Sequence, residues 1–216
     1  PMLQHLSCIA AQDAATAQRF IALGANAQKV VVTGSLKFDL QPPEPALQQA
    51  ELLRTTWSLR GRKIIVAAST HEPEENQILN IFKALHQRYP NTCLIIVPRH
   101  PERFDRVADL IKEKGWTLAR RSAGQAITPD TAVYLADSMG ELWIWYALAD
   151  MAFVGGSLAA TGGHNPLEPA RLAVPVVMGS QTFNFAQIVQ SLVDAGGLVQ
   201  VADVSGVYAT FAAWCE

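Results

Sequence analysis

The chain has 216 residues, of which half are apolar and 17% are charged, a composition typical of a globular protein with a substantial core. Its 17 Lys and Arg against 19 Asp and Glu give a formal net charge of -2, which provides no positive field to attract nucleic acid. No apolar run reaches the roughly 18 to 20 residues that cross a bilayer, and no signal peptide is recognisable.

The first forty residues predict a short α/β segment. Strands are predicted over residues 7–10 and 29–33, with a helix over residues 14–23 between them. A proline cluster over residues 41–45 removes backbone donors and stiffens the chain, as in interdomain connectors. We therefore predict that residues 1–40 are the tail of an N-terminal domain with its linker, and that residues 41–216 form a second domain. Because the chain stops inside a predicted helix, we expect a fragment truncated before the end of that domain.

The three cysteines show no paired or metal-type spacing. Cys8 and Cys93 lie in strand-like apolar runs, so both are expected to be inert core residues in a reducing compartment. Cys215 lies at the end of the chain.

From residue 62 onward, apolar runs alternate with segments of helical spacing. Seven strands are predicted, over residues 63–68, 91–97, 117–120, 133–135, 151–154, 174–178 and 198–201. This alternation implies a parallel sheet covered on both faces, so the predicted fold class is α/β, a Rossmann-like doubly wound sheet. Ligands bind such sheets outside the carboxyl ends of the strands, which makes the polar loops there the candidate site.

The loop after the first strand of this sheet is predicted to begin a helix. Thr70 is placed to cap that helix, and Glu72 and Glu74 are acids in its first turn, which gives these three residues a structural role. His71 has no such role and is expected to project into the crevice.

A proline-flanked turn after the second strand presents Arg99 and His100. Arginine suits bidentate contact with phosphate. The alternative is a surface arginine in a basic helix start, since Arg103 and Arg106 follow. Cations at a helix N-terminus are unfavourable unless an anion lies between them, so we predict that Arg99 contacts a ligand.

Two glycine-containing loops follow later strands. In residues 137–142, Ser138 and Glu141 have capping-box spacing, while Gly140 leaves the backbone open to a ligand.

In residues 155–169, a glycine-rich stretch leads to a predicted helix start with Asn165 as N-cap, Pro166 at the first position and Glu168 at the third. Free amides there are expected to face the crevice and stabilise a phosphate. Glu168 either completes a capping box or accepts hydrogen bonds from the hydroxyls of a ribose.

Several familiar motifs are absent from the sequence. It contains neither G-x-G-x-x-G, which disfavours a dehydrogenase, nor a P-loop, nor an Asp-x-Asp pair. No His, Cys or carboxylate cluster has metal-ligand spacing. We therefore predict a site that uses no metal and no cofactor.

Taken together, the ordered motifs resemble those of the 3-deoxy-D-manno-octulosonic acid (Kdo) transferases of lipopolysaccharide assembly. The motifs are VTGSLKFD from residue 32, STHE from 69, VPRHPERF from 97, MGEL from 139, FVGGSL from 153, GGHNPLE from 162 and TFNF from 182. The resemblance implies a GT-B glycosyltransferase fold in two domains. It also implies inverting, metal-independent transfer of Kdo from CMP-Kdo to a lipid A precursor (lipid IVA) at the cytoplasmic face of the bacterial inner membrane.

The resemblance also implies roles for individual residues. Nucleotide contacts are carried over to Pro98, Arg99, Met139, Gly140, Glu141, Asn165, Pro166, Leu167 and Glu168. Lys37 is carried over as a stabiliser of the transition state. Candidate contacts to the donor sugar or phosphate are His71, His100, Ser157, Gly163 and His164.

In this family the general base is a glutamate of the N-terminal, acceptor-binding domain, which also carries the membrane anchor. Residues 1–40 would then be the tail of that domain, and residues 41–216 the donor-binding domain. Neither the base nor the anchor is recognisable in the 216 residues, so this chain alone is expected to bind CMP weakly and to transfer nothing.

Two other readings remain open. The first is another GT-B enzyme that uses a UDP-sugar, such as a hexosamine transferase or an epimerase. The second is a nucleotide-binding module without catalytic activity, which the fold alone does not exclude. The polar loops that converge on one crevice favour an enzyme over that module.

Overall fold

The computed structural model describes residues 2–34 and 39–216. The chain divides into two compact units, residues 1–41 and residues 42–216. In neither of the two described ranges is there a helix with the length and apolar content that crossing a membrane requires. That the first unit is the tail of an acceptor domain, and the second a truncated donor domain, stays a prediction.

The first unit is a single βαβ element. Strand β1 (Ile9–Ala11) pairs in parallel with β2 (Val30–Val32), and helix α1 (Ala14–Ala22) connects them. The Asp13 carboxylate caps α1 by accepting a 2.6 Å hydrogen bond from the Thr16 amide. The prediction that Cys8 is a core residue is wrong: it precedes β1 and is exposed, whereas Cys93 is buried in the second unit as predicted.

The second unit begins with a helix that the sequence reasoning missed. Helix α2 (Glu44–Thr56) starts inside the proline cluster, with Pro43 at its N-cap and Pro45 in its first turn. Proline is well tolerated there because the first amides of a helix have no intrahelical acceptor. The proline cluster is therefore partly a helix start as well as a connector.

The seven predicted strands are all present and all parallel. They are β3 (Lys63–Thr70), β4 (Thr92–Pro98), β5 (Leu118–Arg120), β6 (Val133–Leu135), β7 (Met151–Val154), β8 (Val176–Met178) and β9 (Leu198–Gln200). The order across the sheet is β5-β6-β4-β3-β7-β8-β9, with β3 at the centre.

Six helices alternate with these strands. They are α3 (Glu74–Arg88), α4 (Phe104–Glu113), α5 (Leu142–Leu148), α6 (Leu167–Arg171), α7 (Ala186–Asp194) and α8 (Val204–Cys215).

Both faces of the sheet are covered, as a doubly wound fold requires. Along β3, Ile64 and Val66 belong to one buried cluster, which includes residues of α2, α5 and α7. Ile65 and Ala67 belong to a second cluster, on the opposite face, with residues of α3, α4 and α8. Since successive side chains of a strand point to opposite faces, the continuous apolar run of β3 follows from burial on both sides. The doubly wound parallel sheet is therefore confirmed.

Candidate functional site

The strand order brings four loops to one stretch of the sheet edge. Strands β6, β4, β3 and β7 are consecutive neighbours and all run in parallel, so the loops that leave their carboxyl ends are adjacent. The chain leaves β3 towards β4 on one side and reaches β7 on the other. Such a reversal of strand order is where open α/β sheets bind ligands.

A cavity of about 170 Å³ lies between the loops after β4 and β6. It is lined by Ser69, Val97, Pro98, Arg99, Ser138, Met139, Gly140 and Leu142. Four of the predicted nucleotide contacts, from two motifs that are forty residues apart, therefore surround one space. Ser69, which the sequence reasoning did not single out, lines it too, at the point where the register of β3 shifts.

Arg99 differs from the two arginines that follow it. Arg103 makes a bidentate pair with the buried Glu75, at 2.6 and 3.1 Å, and Arg106 pairs with Glu72 at 2.6 Å. Arg99 is exposed, and its guanidinium makes no ion pair with any residue that the structure describes. Of these three arginines, Arg99 alone has no carboxylate partner in the described part of the chain, which leaves its guanidinium available to an external anion; its contact with a ligand stays a prediction.

The loop after β6 does not form the predicted capping box. Glu141 itself is the N-cap of α5, without a side-chain capping bond, and its carboxylate accepts two hydrogen bonds from Arg121, at 2.6 and 3.0 Å. The Ser138 hydroxyl donates to the same carboxylate. These partners, Arg121 first, hold the pKa of Glu141 below its usual value. The Glu141 carboxylate is thus hydrogen-bonded to Arg121 and Ser138. Its contact with the nucleotide stays a prediction.

Gly140 keeps the backbone of this loop open. It has a φ of +80°, in the left-handed region that favours glycine, and a Cβ there would meet open space. The Met139 and Gly140 amides donate to no residue within the described ranges. Among the residues that the structure describes, two amides and one guanidinium therefore border the cavity without a partner.

The predicted histidines form a cluster. The Nε2 atoms of His71 and His164 lie 2.7 Å apart, and their rings are nearly coplanar and meet edge to edge, with centroids 5.0 Å apart and an interplanar angle of 4°. The ring of His100 meets that of His71 edge-on, at 5.1 Å. Residues from the loops after β3, β4 and β7 are thus brought together, as the predicted crevice requires.

Burial keeps His71 and His164 neutral near pH 7. It lowers the pKa of His71, and it lowers that of His164 to about 4, with smaller contributions from His71, Arg99 and His100. In a neutral pair, one Nε2 donates the hydrogen bond and the other accepts it. Over residues 2–34 and 39–216, no group of three or more His, Cys, Asp or Glu side chains is arranged to hold a metal ion.

Glu74 was predicted as an ordinary acid of a helix start, and that interpretation missed its role. It is fully buried, and its Oε2 accepts from the amides of His71 at 2.9 Å and Gly156 at 2.8 Å. Its Oε1 accepts from the amides of Ser157, Leu158 and Ala159, at 3.0, 2.9 and 3.3 Å. The carboxylate thus holds the glycine-rich loop after β7.

The prediction that this loop offers free amides to a phosphate is therefore wrong for residues 156–159, because a carboxylate of the protein already occupies them. The two glycines permit the close approach. A Cβ on Gly155 would lie 2.5 Å from the Ser69 carbonyl oxygen and 2.8 Å from Glu74 Oε2. Gly156 has a φ of +67°, and a Cβ there would lie 3.0 Å from the His164 ring.

Ser157 and Gly163 serve the same loop. The buried Ser157 hydroxyl donates to Val154 O at 2.6 Å and accepts from the Gly179 amide at 2.9 Å, so it has no surface to offer a ligand. The Gly163 amide donates to Gly156 O at 2.7 Å. The structure therefore gives both residues a role in loop geometry, in place of the predicted donor contact.

Thr70 does not cap α3, contrary to the prediction. Its buried hydroxyl donates instead to Glu75 Oε1 at 3.0 Å, and Pro73 is the N-cap of that helix without a side-chain bond.

The predicted helix start at Asn165 is also partly wrong. Helix α6 has five residues and begins at Leu167 with Pro166 as N-cap. Asn165 Oδ1 nevertheless accepts from the Leu167 amide at 3.1 Å, as a capping side chain does.

Glu168 is half-buried on this short helix. Burial raises the pKa of Glu168, and a hydrogen bond with Asn165 opposes that rise. The structure therefore ties Glu168 to the Asn165 side chain, which is compatible with both roles that were left open for it. The buried Pro166 and Leu167 contribute packing on either side of this turn.

Lys37, the predicted transition-state stabiliser, lies outside the described residues.

A larger cavity of about 690 Å³ lies between α3 and α4, and Glu72, Pro73 and Arg103 of the loops after β3 and β4 line part of it. Its basic side chains, Arg103 and Arg106, are neutralised by Glu75 and Glu72. The small cavity, in contrast, has an unpaired cation and unpaired amides, so the chemistry favours the smaller site.

Comparison with known proteins identifies relatives along most of the chain. The family model described as 3-deoxy-D-manno-octulosonic-acid transferase (kdotransferase) matches residues 1–40. The 3-deoxy-D-manno-octulosonic acid transferase of Haemophilus influenzae is 46% identical over 200 residues, which are 93% of this chain and 47% of that protein. This chain thus spans about half the length of that relative.

Solved structures agree. The C-terminal CMP-Kdo binding domain of WaaA from Acinetobacter baumannii matches with a TM-score of 0.78 and 44% identity, over 80% of this chain and 90% of that domain. Anabaena HepE in complex with UDP and glucose matches with a TM-score of 0.55 and 15% identity, over 97% of this chain and 54% of that one, which shows the fold alone. The predicted GT-B fold class is confirmed, and the chain belongs to the 3-deoxy-D-manno-octulosonic acid (Kdo) transferase family.

Proposed function

We propose that the protein of which this chain is part transfers Kdo from CMP-Kdo to a lipid A precursor, lipid IVA, in lipopolysaccharide synthesis. Residues 42–216 supply the donor site. The observation that carries the proposal is the cavity where Pro98, Arg99, Met139 and Gly140 meet. The WaaA domain of Acinetobacter baumannii, described as a CMP-Kdo binding domain, supports the choice of donor. We place the reaction at the cytoplasmic face of the inner membrane.

The phosphate of the donor would be held by the partner-free groups of this cavity. The Arg99 guanidinium offers two parallel N–H donors to phosphate oxygens, and the Met139 and Gly140 amides offer two more. We assign the nucleoside to the side of Asn165 and of Glu168, a half-buried carboxyl whose pKa burial raises. Glu168 would then hydrogen-bond the ribose hydroxyls.

Transfer breaks the bond between the anomeric carbon of Kdo and the phosphate of CMP. We infer that the acceptor hydroxyl attacks this carbon from the opposite face, loses its proton to a carboxylate of the acceptor domain, and inverts the configuration. Negative charge then builds on the departing CMP. Arg99 and the cavity amides stabilise that charge, without a metal ion or a cofactor, at about 2.7–4 kcal/mol for a well-placed donor. We also propose, from the resemblance to the family, that Lys37 stabilises the negative charge on the departing CMP.

The histidine cluster lies beside this phosphate position. His164 interacts electrostatically with Arg99 and His100, and the ring of His71 contacts the rings of both His100 and His164. Neutral imidazoles donate and accept hydrogen bonds without adding charge, which suits the hydroxyls and carboxylate of an acidic sugar. We therefore assign the three histidines to the Kdo moiety of the donor.

The test is a nucleotide competition on the 216-residue chain. Isothermal titration calorimetry with CMP and with UDP should give binding of CMP at least about tenfold tighter than that of UDP. Preference for UDP would contradict the proposal and favour a GT-B enzyme that uses a UDP-sugar. Binding of CMP by the chain alone, without Kdo transfer, is expected because the general base that the resemblance implies is not among its residues.

A further inference from the structure

Glu74 joins the two chain segments that carry His71 and His164, whose rings meet through their Nε2 atoms. Its Oε2 accepts from the amide of His71 itself and from that of Gly156, on the other segment. On that second segment, the His164 amide donates to Gly155 O at 3.1 Å, and the Gly163 amide donates to Gly156 O. One oxygen atom therefore sets the spacing between the two backbones from which the imidazoles project.

The rest of the glycine-rich loop surrounds the same carboxylate. Three further amides, of Ser157, Leu158 and Ala159, point at Oε1. Successive amides that converge on one point form a concave site for an anion. Here the anion is a side chain of the protein, and no donor phosphate is needed to hold the loop in shape.

We propose that Glu74 is a positioning residue of the donor site: as a built-in anion it closes the loop after β7 and holds His71 and His164 in ring contact. Because the amides of residues 156–159 bind Glu74, they cannot bind the donor. The donor phosphate would then be bound by Arg99 and by the loop after β6. The part of this inference that concerns CMP rests on the proposed function, whereas the part that concerns the histidines does not.

Glu75 provides a matched comparison, because it is the next residue in the same helix and equally buried. Its carboxylate pairs with Arg103 and accepts from Thr70. In the described part of the chain no hydrogen bond joins it to the glycine-rich loop or to a histidine amide, and it acts on His71 only through its charge. If any buried carboxylate in this turn supported the site, substitution of Glu74 or of Glu75 would change the histidine contact and the CMP affinity alike. If the support depends on the hydrogen bonds of Glu74, only substitution of Glu74 will change them.

The experiment uses the 216-residue chain and three variants, Glu74→Gln, Glu74→Gly and Glu75→Gln. Long-range ¹H–¹⁵N NMR of the imidazoles, without ligand, reports the contact between the His71 and His164 rings. Calorimetry reports CMP affinity with and without formate, at constant ionic strength. Formate is a carboxylate small enough to enter the space that Glu74→Gly leaves.

Glu74→Gly should lose the wild-type imidazole signals and bind CMP about tenfold or more weakly. Formate, and not chloride, should restore both. Glu74→Gln, which keeps the size but presents an amide NH₂ to the loop amides, should shift the same signals. Glu75→Gln should lower the melting temperature and leave the imidazole signals and the CMP affinity within about twofold of wild type.

Unchanged imidazole signals and CMP affinity in Glu74→Gln would overturn the proposal, as would formate that restores the melting temperature of Glu74→Gly but not the histidine contact. If Glu74→Gly does not fold, Glu74→Gln decides. If wild type binds no CMP, the proposed function fails, and the NMR comparison still tests the positioning role by itself.

Discussion

Two glycine-containing loops lie at the same edge of the sheet and differ in what their backbone amides bind. In the loop after β6, the Met139 and Gly140 amides have no partner within the described ranges and border a cavity with Arg99. In the loop after β7, the amides of residues 156–159 all bind Glu74. A glycine-rich sequence at a strand end therefore indicates that the backbone can approach an anion closely. It does not indicate whether that anion is a ligand or a side chain of the protein.

The largest expected effect comes from removing the internal anion. Glu74→Ala leaves five backbone amides without their acceptor, four of them in the loop after β7. At about 1–3 kcal/mol for each buried unpaired group, partly relieved by water, unfolding free energy should fall by at least about 4 kcal/mol. Urea denaturation measures this fall.

The control is Glu72→Ala, two residues earlier, whose exposed carboxylate pairs only with arginine side chains. A surface substitution of this kind should change the unfolding free energy by less than about 0.5 kcal/mol. If Glu74→Ala were as mild, the idea that its carboxylate organises the loop would be wrong.

For the cavity beside the loop after β6, a substitution should change CMP affinity and leave stability nearly unchanged. Arg99→Ala removes a side chain without protein partners, so unfolding free energy should stay within about 0.5 kcal/mol of wild type. CMP affinity should fall about 10- to 100-fold, the cost of a charge-assisted hydrogen bond pair. Arg106→Ala, which breaks an exposed ion pair with Glu72, is the matched control and should leave CMP affinity unchanged. Equal affinities of wild type and Arg99→Ala would remove Arg99 from the site.

A third expected effect follows from the low pKa of His164, about 4 in the folded protein against 6.5 for an unperturbed histidine. Above pH 6.5 both states are neutral. Between pH 6.5 and 4 the unfolded state binds a proton that the folded state does not, so stability declines as the pH falls, and below pH 4 this contribution is constant.

The decline due to His164 should be on the order of 1–2 kcal/mol, since partial exposure reduces the effect. His164→Asn should flatten the stability curve between pH 6.5 and 4 relative to wild type, as measured by urea denaturation at several pH values. Parallel curves for the two proteins would mean that His164 titrates normally in the folded state.

The smallest expected effect concerns Gly140. Gly140→Ala meets no steric obstacle, but it forces a side chain into a left-handed conformation at a cost of about 1 kcal/mol. If the loop relaxes to avoid that cost, its amides turn and CMP affinity drops. Gly61→Ala, at a left-handed glycine before the amino end of β3 and so at the opposite edge of the sheet from the cavity, should lose similar stability and keep its affinity. A drop in affinity in both variants would point to general loosening of the fold.

The fold was largely predictable because a sheet buried on both faces requires continuous apolar strands, and the covering helices require apolar residues at helical spacing. Both patterns are visible in the sequence. All seven strands of the second unit were predicted, with ends shifted by no more than two residues. Helix α2 was missed because its start coincides with prolines, whose local signal suggests a connector although they are tolerated in a first helical turn. Cys8 was misplaced because its neighbours are apolar while its own position precedes the strand.

The positions that surround the cavity and the histidine cluster could be predicted from the sequence, whereas the contacts that shape the loops could not. Loop position and residue chemistry singled out Arg99, Gly140 and the three histidines, which the structure brings to two adjoining clusters. The role of Glu74 was hidden because acids in a first helical turn are common, and its five partners are backbone amides without any sequence signature. The one available signal was the second adjacent acid, Glu75, since two buried carboxylates need two different sets of partners.

The most direct measurement of the central claim is a crystal structure of the 216-residue chain soaked with CMP. The predicted result is a phosphate bound by the Arg99 guanidinium and the Met139 and Gly140 amides, with the Glu74 carboxylate still bound to residues 156–159. A phosphate seated on the amides of residues 156–159, with Glu74 displaced, would contradict the account.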